Sequence, residues 1–111
     1  MAGHLLAPDV VALPLGHEPL PEEDVVEGRP SAAAHTLERI GDVEVGLWEM
    51  TAGTARDTEV DEVFVVLAGR GTVRFEDGEI VRLAPGVAVR LRAGERTTWT
   101  VEEPLRKVWV A

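Results

Sequence analysis

The sequence predicts an all-β domain, and three observations carry that prediction. From residue 36 onward, short apolar segments recur about every eight to ten positions, each closed by turn residues such as Gly41-Asp42, Asp77-Gly78 or Ala93-Gly94. Within several of them apolar and polar side chains alternate with the period of two that a strand imposes. No stretch sustains the helical period. With 111 residues the chain is large enough for one core and too small for a second.

Residues 1–35 come first and differ from the rest. Pro8, Pro14, Pro19, Pro21 and Pro30 lie there with Glu22, Glu23, Asp24 and Glu27. Prolines at this density exclude helices and central strands. The segment is expected to be an extended arm, with one short edge strand over residues 10–13. Leu5, Val10, Leu13, Leu15, Leu20 and Val25 would hold it against the body of the domain or against a partner subunit. Residues 31–34, Ser-Ala-Ala-Ala, are too few to hold a helical turn and are expected to be a linker.

The strands then follow in order. Residues 36–40 end at Gly41-Asp42, and residues 43–50 end at Ala52-Gly53. The stretch TEVDEVFVVLAGRG, residues 58–71, is the centre of the pattern. Its β-branched and aromatic run suits a packed, pleated surface, and its paired glycines are expected to make a tight turn. Residues 72–75 and 79–83 flank Asp77-Gly78, a hairpin dipeptide whose residues tolerate positive φ. Residues 87–91, 96–101 and 105–110 complete a set of about eight or nine strands. Glu62, Phe64 and Val66 share one face of their strand, and Val63, Val65 and Leu67 share the other. A strand apolar on both faces in so small a domain implies a partner subunit, so a homodimer is expected.

Composition bounds the function. A net charge of −9 argues against nucleic acid, whose phosphates call for clustered Lys and Arg. The charge is uneven: residues 1–62 carry net −11 and residues 63–111 carry net +2, so the acidic part is expected either to be a solvated surface or to pack on the arginines of the second half. With no cysteine, disulfides, thiolate metal sites and cysteine nucleophiles are excluded. No apolar run approaches the roughly 18 residues of a membrane helix, and no basic region precedes an apolar core at the N-terminus, so no membrane association and a cytoplasmic location are expected. Ser31 is the only serine and lies in the expected linker, and no glycine-rich loop opens a helix.

The segment with WEM at residues 48–50, Gly53, DEVFVVLAGRG at 61–71, DGE, APG at 84–86, AGERTTW at 93–99 and RKVWV at 106–110 resembles a small single-domain cupin of the type named for ureidoglycine aminohydrolase and found in ethanolamine-utilisation proteins. The resemblance implies a cupin-type double-stranded β-helix, a jelly-roll barrel, over residues 36–111, with the N-terminal arm outside it and a pocket inside. Metal-dependent cupins hold their ion with two histidines and a glutamate from a first motif and one histidine from a second. Here the glutamate matches Glu62, while the histidine places fall near Arg56 and Thr58 and at Thr97; His4, His17 and His35 all lie outside both motifs. One carboxylate does not hold a transition metal, so no metal ligand is assigned and no cofactor is expected, a divalent metal being the lesser alternative. Glu62 is expected to pair with Arg96 or Arg106, and Glu59 and Asp61 to form a solvated edge.

Glu62 facing inward would bring Trp48, Met50, Arg56, Thr58, Phe64, Thr97 and Trp99 to the same cavity, as a ligand pocket or as ordinary core. The face of Trp109 stays open. Three functions follow. The first is a module binding a small, cationic or amide-bearing metabolite without metal. The second is an enzyme resembling ureidoglycine aminohydrolase or a related cupin isomerase or hydrolase, with Glu62 as catalytic acid or base. The third is a structural dimerisation domain.

Overall fold

The structure, a computed structural model, describes residues 3–111. Its strands are β1 (Glu18–Pro19), β2 (Val25–Glu27), β3 (Ser31–Ile40), β4 (Val43–Met50), β5 (Gly53–Thr58), β6 (Glu62–Phe75), β7 (Ile80–Leu83), β8 (Ala88–Leu91) and β9 (Arg96–Val110), with one 3-10 turn at Glu22–Asp24. All strand pairs are antiparallel, and together they make the jelly-roll barrel expected. Among the described residues no helix is long and apolar enough to cross a membrane.

Two long strands organise it. β6 and β9 pair from Val63↔Val110 to Phe75↔Thr97 and form the spine of one continuous nine-stranded sheet. The C-terminal half of β9 is flanked by β4, and its N-terminal half by β5. The first half of β6 carries β8 and the second half β7. Period-two alternation then builds the interior: Phe64, Val66 and Val73 from β6 meet Trp99, Val101 and Leu105 from β9, with Met50, Leu83 and Leu91 around them. The inward set Glu62, Phe64, Val66 is as the sequence predicts. The opposite face is only partly covered, with Val63 45% exposed.

The tight turn expected at Gly69 and Gly71 does not exist. β6 runs through both glycines, and its register with β9 slips at Ala68 and again at Arg70. Gly69 has φ +89°, and a Cβ there would lie 2.0 Å from the Pro104 carbonyl oxygen; a Cβ at Gly71 would lie 2.3 Å from that of Thr100. The glycines serve close approach of two strands at a bulge. The separate segments expected over 96–101 and 105–110 are one strand, β9, and Pro104 lies inside it, opposite this break in the ladder, where its missing N–H is not needed.

Three further expectations are corrected. Residues 31–34 are the start of β3, paired with β4 from Ala32↔Met50 onward. Residues 10–12 form a turn in place of an edge strand, because the Asp9 carboxylate accepts from the backbone N–H groups of Val11 and Ala12. β5 was missed, since GTARDT shows no run of apolar residues; only Ala55 is buried in it.

The arm is tied down through its backbone and His17. β1 pairs with β3, and β2 with β5. The His17 ring bonds Ser31 Oγ at 3.0 Å and Glu49 Oε1 at 2.7 Å. Arg106 donates to the carbonyls of Val10 and Leu13 at 2.9 and 2.7 Å and to Glu49 at 2.7 Å. Acids of residues 1–62 do meet arginines of the second half, as Glu49 with Arg106 and Asp61 with Arg90, but among the described residues no carboxylate of the arm itself lies within ion-pair distance of an arginine.

Candidate functional site

The barrel opens at one end into a cavity of about 620 Å³ lined by Trp48, Asp57, Thr58, Glu59, Glu62, Trp99, Lys107 and Trp109, with Asp42 and Glu44 at its edge. Its floor is set by register. Trp48 on β4 and Val66 on β6 flank Lys107 on β9, and Phe64 flanks Trp109. Lys107 therefore points inward among apolar neighbours, 5% exposed.

The Lys107 ammonium is held two ways. Its Nζ donates to Glu62 Oε2 at 2.6 Å, and it lies over three aromatic rings, 4.3 Å from the centre of Phe64, 4.8 Å from Trp48 and 4.9 Å from Trp99. Ring quadrupoles attract a cation at this range, and more strongly when water is excluded. The rings brace one another: Trp99 lies 5.4 Å from Trp48 and 5.6 Å from Phe64, both tilted. The partner of Glu62 is thus Lys107 and not Arg96 or Arg106. Arg106, one residue along β9, faces outward, and Arg96 stands opposite Thr58 at the start of the strand.

A second carboxylate is more deeply set. Glu59, 7% exposed, accepts from Thr97 Oγ1 at 2.6 Å and Trp99 Nε1 at 3.0 Å, so it is a buried group with donors and not the solvated edge expected. Asp61 does lie at an exposed edge, bonded to Arg90 at 3.1 Å. Asp57 stands on the cavity wall with its outer edge open. Partial burial first, and the Glu59 carboxylate second, push its carboxyl up to about 6, against the Thr58 backbone N–H and Lys107.

The expected pocket residues divide between two openings. Trp48, Thr58, Glu62 and Trp99 line the large cavity, and Phe64 lies beneath its floor. Met50 and Arg56 line a separate cleft of about 100 Å³, and Thr97 acts through Glu59. On β5 the inward positions are Ala55 and Asp57, opposite Trp99 and Thr97, so Arg56 points outward. Lys107, Asp57, Glu59 and Trp109 were not foreseen. The signal for Lys107 was available: in LRKVW it shares parity with Leu105 and Trp109.

The donor set does not fit a divalent cation. Among the described residues no three His, Asp or Glu side chains gather as a metal cluster. Glu62 faces an ammonium, Glu59 is turned to Thr97 and Trp99, and a threonine occupies the second-motif position.

A family model described as the EutQ-like cupin domain matches residues 37–109. Comparison with curated proteins found no match. Among solved structures, a putative ethanolamine utilization protein Q from Salmonella typhimurium LT2 is 21% identical, with a TM-score of 0.63, over 72% of this chain and 68% of that one. A protein of unknown function from Rhizobium leguminosarum bv. viciae 3841 is 29% identical, with a TM-score of 0.65, over 71% and 78%. A third, of unknown function, from Pseudomonas syringae pv. tomato DC3000 is 20% identical with a TM-score of 0.77; it covers 92% of this chain, which spans 45% of its length.

Proposed function

The chain belongs to the EutQ-like cupin family, and from that membership we propose that its barrel is a metal-independent binding module for a small organic cation. The observation that carries the reading is the aromatic cage of Trp48, Phe64 and Trp99, which already receives one ammonium, that of Lys107, at 4.3–4.9 Å. Above it, the cavity keeps free wall from Trp48, Trp99 and Trp109, with Asp42, Glu44 and Asp57 in reach of a second positive charge. A cavity of this size whose walls combine three tryptophans with several carboxylates suits a small molecule that is both apolar and positively charged. Glu62 pairs with Lys107 at the floor and neutralises it, so the remaining carboxylates of the cavity face an incoming cation.

A thermal-shift and calorimetric screen of small amines, ureides and sugars tests this. Amines are expected to stabilise the protein, by about 2.7 kcal/mol at a hundredfold excess over Kd. Stabilisation by none of them, or by neutral sugars alone, sinks the reading.

Asp57 favours a second reading, an enzyme resembling ureidoglycine aminohydrolase or a cupin isomerase. A carboxyl raised to about 6 suits general acid–base work near neutral pH, with Glu62 as the other candidate. Turnover that Asp57→Asn and Glu62→Gln each abolish, without a fall in Tm, would establish it.

A homodimer in the cytoplasm completes the proposal. Val43 and the opposed pair Val63 and Val110 are 43–45% exposed on the outward face of β4, β9 and β6. Sedimentation velocity is expected to show two copies, and Val63→Lys to return one.

A further inference from the structure

On the outside of the other half of the barrel the charge reverses. β5, β9 and β6 lie side by side there, and their register sets Arg56 opposite Thr98 and Thr98 opposite Arg74. These side chains point away from the core, since their neighbours Ala55, Trp99 and Val73 are buried within it. Arg96 comes two residues before Thr98 on the same side of β9. Arg56, Arg74 and Arg96 line one cavity of about 530 Å³, with Thr98 in its floor and Glu76 at its rim.

Three like charges repel, and a chain of net −9 has ample carboxylate to neutralise them. It does not do so here. Among the described residues none of the three arginines lies within 4.0 Å of a carboxylate. The nearby acids are otherwise engaged: Glu95 accepts from the Arg92 backbone N–H, and Asp77 from that of Glu79. Three guanidiniums and the single carboxylate of Glu76 leave the cavity with two positive charges. Guanidinium forks match the paired oxygens of a phosphate, and the Thr98 hydroxyl adds a neutral donor.

We propose that this cavity is a second ligand site, taking a doubly charged phosphate group, free or as a monoester. It lies outside the barrel and does not depend on the cage at Lys107. Free phosphate and a monoester present the same three oxygens, so the two sources are separated by measurement.

Calorimetry at pH 7.5 with inorganic phosphate and with glycerol 2-phosphate, at matched ionic strength against chloride, provides the test. One saturable site is expected. Binding of both probes assigns the phosphate group as the ligand, and binding of inorganic phosphate alone assigns the free ion; either supports the site. Arg74→Gln and Arg96→Gln are each expected to weaken binding about tenfold, the loss of one charge-assisted hydrogen bond. Glu76→Gln is expected to strengthen it severalfold. All three positions are exposed, so Tm is expected to hold. Arg82→Gln is the control, because Arg82 is exposed on β7 beside Thr72 and does not line the cavity. No saturable binding to wild type overturns the proposal. So does an equal loss in Arg82→Gln, which would mark a diffuse field in place of a site.

Discussion

Arg106 and Lys107 are consecutive residues, both cationic, both about 5% exposed, and they do opposite things. Alternation along β9 sends Arg106 outward under the N-terminal arm and Lys107 inward to the cavity. Arg106 gives three of its five donors to one carboxylate and to two backbone carbonyls from a distant part of the chain. Lys107 has one carboxylate and three ring faces, and one side of its surroundings is open cavity. A buried cation whose bonds all go to the fold is a fastener. One with a single bond and an open side is placed to meet something else.

The largest effect tests the fastener. Arg106→Ala leaves Glu49 without its main partner and the carbonyls of Val10 and Leu13 without a donor. Loss of one side of a buried pair costs about 3–5 kcal/mol, read by urea denaturation, and residues 3–17 are expected to become the first site of proteolysis. An arm that stays protected in this variant would dissolve the contrast. Lys107→Met strands only Glu62, at the edge of a cavity that admits water, and is expected to cost about 1–3 kcal/mol. The same change vacates the cage, so tetramethylammonium is expected to bind it more tightly than wild type. No gain would mean that the rings serve packing alone.

Two carboxylates sharpen the comparison through pH. Burial raises Glu49, but the hydrogen bonds from Arg106 and His17 outweigh it and hold the group below its ordinary 4.5. Its contribution to stability is therefore complete above that value and is lost as pH falls through the lower folded one. Asp57, raised to about 6 from 3.8, has the opposite sign: the folded state holds its proton more tightly, so this group costs stability above about pH 6 and regains it on acidification. Asp57→Asn is expected to flatten the stability profile between pH 4 and 6, and Glu49→Gln the profile below 4.5. In wild type, amine binding is expected to rise with pH through about 6 as Asp57 ionises. A binding curve flat through this range removes Asp57 from the site.

Much of the barrel was legible because apolar periodicity and turn dipeptides report strands directly: residues 43–50 coincide with β4, and the hairpin at Asp77-Gly78 stands where its dipeptide put it. The failures share a cause. Gly69-Arg70-Gly71 has the composition of a turn, but what requires glycine there is the carbonyl of Pro104, a contact across 35 positions that no local pattern encodes. β5 is polar because its outward face carries Arg56 and its inward face Asp57, so a strand built for its side chains' chemistry hides from a search for hydrophobicity. The aromatic residues of the site were readable from parity. The carboxylates were not: Glu59 differs from a solvated acid through Thr97 and Trp99 on β9, and Asp57 through its partial burial beside Glu59.

Because β9 pairs with β4, β5 and β6 and occupies residues 96–110, the order of synthesis matters. As the chain leaves the ribosome, β3–β4 and β6–β7 can form as local hairpins, yet the barrel cannot close until β9 has emerged. The barrel therefore depends on non-local pairings, which are slow to form. A nascent chain halted before residue 96 would present the open flanks of β4, β5 and β6 to chaperones, its aromatic cage still without Trp99 and Lys107.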